Sequence, residues 1–145
     1  MTIEVPLVRG CTLPVVDGDC ARAWMTAVHG AAREARLQVE GTSRPPTVGR
    51  NYYAVELSGL LELRLNVTLR LVAAVYDAGS RLDAEFRKVP GAGVFAAAGF
   101  AVAGVAELEG GFEQADLAKL TALERSDIAY HGVWRLGDVV FNWFD

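Results

Sequence analysis

Residues 60–79, LLELRLNVTLRLVAAVYDAG, decide the fold. Leu61, Leu63, Leu65, Val67, Leu69 and Leu71 alternate with polar residues, the period of a strand with one buried face. Ser58-Gly59, just upstream, has the composition of a hairpin turn. Against this, the run is about nineteen residues long, and strands rarely exceed about ten. It is also rich in Leu, Ala, Arg and Glu, and Gly79 stands where the residue just past a helix end belongs. Length and composition, weighed above alternation, predict a helix. The expected fold is therefore mainly α, one globular domain over residues 1–145, with a small β element from the N-terminus and residues 52–57. The alternative is α+β, with an antiparallel meander over residues 52–87.

Upstream, residues 3–16 alternate loosely through Ile3, Val5 and Leu7 but contain Pro6 and Pro14, which predicts extended chain or an edge strand. An amphipathic helix follows over Cys20–Leu37, with Asp19 as its N-cap. Ala21, Trp24, Val28, Ala31 and Ala35 share its apolar face, while Arg22, Thr26, His29, Arg33 and Arg36 share another. Residues 41–50, with Pro45-Pro46, read as a loop.

Downstream, Ser80 and Asp83 form a loose capping box for a short helix with Leu82 and Phe86 on one face, stopped by Pro90. An Ala-rich helix over 94–109 should end at Gly110-Gly111, with Gly99 and Ala103 lining a close helix contact. Residues 116–125 carry Leu117, Leu120 and Leu123 at helical spacing, and Asp138 should cap a last short helix.

Composition narrows the function. A net charge of −4 argues against a general nucleic-acid binder. Basic residues are nearly all Arg, with Lys only at Lys88 and Lys119, and Ala, Gly, Val and Leu are abundant, as in coding from a GC-rich bacterial genome. Cys11 and Cys20 are too few for a disulfide scaffold or a cysteine-only zinc site. The start MTIEVPLVRG lacks the pattern of a signal peptide, so two reduced thiols in a cytoplasm are expected, and the NVT sequon at Asn66 is given no meaning. Residues 89–106 pass without a charge, but their Ala, Gly and Pro content reads as buried core rather than a membrane span.

GAGVFA at 91–96 fits a dinucleotide-binding pattern, yet no hydrophobic strand feeds its glycines, so it reads as a turn into a closely packed helix. Neither Cys11 nor Cys20 carries a local mark of an activated nucleophile. The best catalytic constellation is His131 with Asp127, at i, i+4 on a helix and near Tyr130 and Asp138, where the carboxylate would orient the imidazole. The last twenty residues also hold five of the thirteen aromatics. They are too apolar to dangle, and they dock onto the core or onto a partner.

These readings lead to a small bacterial protein-binding domain without enzymatic activity, an acidic inhibitor or immunity-type neutraliser of a basic partner. Its interface candidates are Arg22, His29, Arg33 and Arg36 on the first helix and Trp134, Phe141, Trp143 and Phe144 near the C-terminus. A homodimer, through the face of Gly99 and Ala103 or through the C-terminal rings, stays open. So do a small-molecule domain with a pocket lined by Ala, Val and aromatic residues, and a hydrolase or isomerase using His131 with Asp127. No cofactor, metal, nucleic acid or membrane is expected.

Overall fold

A computed structural model describes residues 5–76 and 84–144. It corrects the mainly α expectation. Residues 60–76 are two strands, β3 (Leu61–Asn66) and β4 (Leu71–Tyr76), at the centre of a six-stranded sheet ordered β1-β2-β3-β4-β5. The others are β1 (Val39–Arg44), β2 (Tyr53–Leu57), β5 (Glu85–Arg87) and the two-residue β6 (Ala101–Val102). Strands β1 to β5 pair antiparallel in chain order, so the meander weighed as the alternative corresponds to β2 through β5. Strand β6 instead pairs parallel with the first residues of β4, end to end with β5.

The length objection fails because the run contains a hidden turn. The side chain of Asn66 accepts the Leu69 N–H at 3.1 Å, and the Arg70 N–H donates to the Val67 carbonyl at 3.1 Å. Arg70 takes φ +48°, a left-handed conformation usually left to Gly or Asn. No Gly or Pro marks this reversal, so the two six-residue strands read as one element. The Ser58-Gly59 turn does join β2 to β3, through Gly59 and Leu60 at φ +82° and +60°.

Alternation gives the sheet two different faces. Tyr53, Val55, Leu57, Leu63, Leu65, Val72 and Ala74 form an apolar face. Helix α1 (Gly18–Ala35) covers it with Trp24, Ala27, Val28, Ala31 and Ala32. Trp24 is fully buried with its ring edge-on to Tyr53, and its indole N–H has no partner among the described residues, so packing is what it contributes. Asp17, not Asp19, is the N-cap, accepting the Cys20 N–H at 3.1 Å. The opposite face carries Tyr52, Ala54, Leu71, Ala73, Val75 and Phe86, and also the buried Glu62, Arg64 and Asn66.

The uncharged run at 89–106 is not one helix. It breaks into α2 (Ala92–Ala97), β6 and α3 (Val105–Glu109), because Gly99 turns the chain at φ +88°. Gly99 is exposed and ends a helix; it does not line one. Gly91 has a packing role, since a Cβ there would meet Ala31 of α1 at 2.7 Å. Among the described residues no helix is long and apolar enough to cross a membrane. The expected helix at 116–125 is likewise split, into α4 (Gln114–Leu117) and α5 (Ala122–His131), and α6 (Leu136–Val140) follows. Residues 5–16 run without a described strand. Ser80, Leu82 and Asp83 of the expected capping box lie outside the described residues, and Phe86 sits on β5.

Two substitutions on α1 test its orientation. Trp24→Ala should lower stability by about 3–5 kcal/mol in chemical denaturation, as large-to-small core changes do. Arg33→Ala on the exposed side should stay within about 0.5 kcal/mol. The reverse pattern would invert the helix.

Candidate functional site

The best-supported site forms around α5, and its position follows from one buried carboxylate. Thr121 caps the helix, accepting the Glu124 N–H at 3.2 Å while its own N–H donates to Glu124 Oε1 at 3.1 Å. The same carboxylate takes the Gly10 N–H at 2.8 Å, the Thr12 N–H at 3.1 Å and the Thr12 hydroxyl at 2.6 Å. Glu124 is wholly buried and, with Ile128 one turn on, fixes the inward face of α5. Leu123 and Tyr130 are therefore turned outward, 63% and 84% exposed. Gly132 then ends the helix at φ +65° and sends the chain to Trp134, which is 65% exposed.

His131 closes this surface on the other side. Its Nδ1 lies 2.9 Å from the main-chain carbonyl of Asp127, four residues earlier. Its ring stacks on Phe144 at 4.6 Å and meets Tyr130 edge-on at 5.1 Å. Asp127 thus meets the ring through its main-chain carbonyl. Asp138 pairs with Arg135 at 2.8 Å.

Beside Trp134 lies an acidic cleft of about 310 Å³, lined by Val5, Leu7, Glu107, Phe112, Glu113 and Asp116 among others. Glu107 accepts the Val5 N–H at 2.9 Å, and Glu113 and Asp116 cap α4 reciprocally. The cleft adjoins Trp134 because the Leu136 N–H donates to the Gly110 carbonyl at 2.7 Å. A Cβ on Gly111, in the cleft wall, would lie 3.6 Å from the Trp134 carbonyl. The sequence reading missed this cleft, because its carboxylates come from two short helices, α3 and α4, with no metal or catalytic spacing.

The other interface candidates separate. Phe141 is buried against Tyr52 at 6.1 Å, so it belongs to the core. Trp143 is half-buried, its ring 5.6 Å from the Arg50 guanidinium, and Phe144 is half-buried on His131. Arg22 is exposed and paired with Asp19; His29, Arg33 and Arg36 are exposed on α1. That basic stripe lies across the sheet from α5, so the two candidate surfaces do not form one site.

Burial pushes the Cys11 thiol up to about 11. It also raises Cys20, against the opposing influence of Arg70, whose Nη1 is 3.6 Å from the sulfur. Both thiols are held protonated, the opposite of an activated nucleophile.

A second concavity, about 560 Å³ and largely apolar, is lined by Lys88, Val89, Phe100, Val102 and Val105 together with small residues of α2.

The Glu124 anchor predicts acid sensitivity. Burial opposes its ionisation and is the largest single influence, but the bonds from Thr12, Thr121 and Gly10 outweigh it and hold the carboxyl below its ordinary 4.5. The unfolded chain therefore takes up this proton first. The stabilisation is whole above about pH 4.5 and is lost as pH falls through the lower folded value. Glu124→Gln should remove that slope from the stability–pH curve. It should also cost about 1–3 kcal/mol at pH 7, since its amide cannot satisfy every donor. An unchanged acid limb would show that Glu124 does not anchor α5.

Comparisons with protein-family models, with curated proteins and with solved structures find no match to this chain.

Proposed function

We propose that this chain is a non-enzymatic, cytoplasmic binding domain for a basic protein partner, engaged through the surface of Tyr130, Trp134 and the adjoining acidic cleft. The observation that carries this reading is the 65% exposure of Trp134, whose main chain borders that cleft at Gly111. Large exposed aromatic rings are costly to leave in water, and Trp and Tyr dominate the energetics of protein interfaces. Residues 107–116 contain Glu107, Glu109, Glu113 and Asp116 and no Lys or Arg. A negative patch beside an aromatic anchor favours a positively charged partner and speeds its approach. The net charge of −4 acts in the same direction. Cys11 and Cys20, both free and buried, support a reducing compartment.

The test is affinity capture from extracts of the source cell, comparing the wild type with Trp134→Ala. A basic protein should be retained at low salt, released by about 0.5 M salt, and bound about thirtyfold more weakly by the variant. Equal retention by both proteins, or retention indifferent to salt, would contradict the reading. Wild-type dimers that Trp134→Ala converts to monomers would reassign the surface to self-association.

A further inference from the structure

The apolar groove holds a second, independent inference. It opens at the sheet edge where β5 and β6 meet end to end against β4. After Arg87 the chain leaves the sheet, α2 crosses to pack on α1 through Gly91 and Ala31, and the chain returns at Ala101. The gap between the half-strands is walled by Val89, Phe100, Val102 and Val105 and covered by Ala92 and Ala96 of α2. Small residues on α2 leave the space unfilled, and about 560 Å³ lies in the range of small-ligand clefts.

Among the described residues, one charged group lines this groove, Lys88. It is exposed and makes no ion pair among the described residues. It is also one of only two lysines in an acidic chain. The acidic cleft gathers carboxylates, whereas the described lining of this groove carries one cation beside an apolar wall. We propose that it binds a small amphiphile with an apolar chain and a single carboxylate, the chain lying on Phe100, Val102 and Val105 and the carboxylate meeting the Lys88 ammonium. The step is reversible binding, with no bond made or broken.

Titration calorimetry with decanoate and decan-1-ol, each below the concentration at which it aggregates, tests this on the wild type, Lys88→Met and Ala96→Trp. Decanoate should bind the wild type about fivefold more tightly than the alcohol, the advantage expected of one partly exposed ion pair. Lys88→Met should erase that preference and leave decan-1-ol unchanged. Ala96→Trp, on an exposed position of α2, should fill the groove and abolish both. Equal binding of acid and alcohol by the wild type would overturn the carboxylate assignment while keeping an apolar site. Binding of neither, or binding that survives Ala96→Trp, would overturn the groove as the site. None of these outcomes bears on the protein-binding reading, which rests on other residues.

Discussion

Three buried asparagines hold the two ends of the described chain to the polar face of the sheet. Asn51 and Asn66, from the loop before β2 and the end of β3, each donate to the carbonyls of Cys11 and Val140, at 2.7–3.1 Å. Asn142 donates in turn to the carbonyls of Thr12 and Val139 and gives its N–H to Asn51 Oδ1 at 2.8 Å. An unpaired buried amide or carbonyl costs about 1–3 kcal/mol. Residues 11–12 and 139–142 therefore cannot leave the sheet singly without stranding several such groups. The surface on α5 depends on this clamp, because it sets Phe144 against His131 and, with Glu124, holds residues 10–12 beneath the helix.

The clamp follows from the asymmetry of the sheet. One face is apolar and accepts the amphipathic α1 with no directional demand. The other buries Glu62, Arg64 and Asn66, and each needs a partner. Glu62 takes Arg64 at 2.7 Å and Arg44 at 2.9 Å, and the Arg64 guanidinium lies 4.4 Å over the Tyr52 ring. Arg50 sits between Tyr52 and Trp143 and donates to the Pro45 carbonyl at 2.6 Å. Polar pairing is directional, so this face specifies which segments cover it and in what register. The aromatic tail docks where Asn51, Asn66 and Arg50 require it, and Tyr130 and Trp134 are left outside.

Much of α1 was legible in the sequence because three-four spacing maps directly onto burial, and Trp24 and Val28 are buried as that spacing requires. Its N-cap was misplaced by one turn signal with two aspartates, of which only Asp17 reaches the Cys20 N–H. The sheet was misread because a length rule was applied across a reversal that Asn66 and Arg70 make without Gly or Pro. The alternation of Leu61, Leu63 and Leu65 carried the correct period all along. Docking of the tail could be inferred from its apolar content, and Phe141 is buried accordingly. The role of Asn142 could not, since its partner Thr12 is 130 residues away and is met through a main-chain carbonyl that no side chain advertises. Nor could the outward turn of Trp134 or the gathering of Glu107, Glu113 and Asp116, which depend on where short helices end.

Amide hydrogen exchange resolved by residue tests the clamp most directly. The Asn142 and Leu69 amides, bonded to Asn51 and Asn66, should exchange as slowly as those of β3 and β4 and lose protection only with global unfolding. Fast exchange at Asn142, with the sheet amides still protected, would show a tail that opens on its own and would contradict the account.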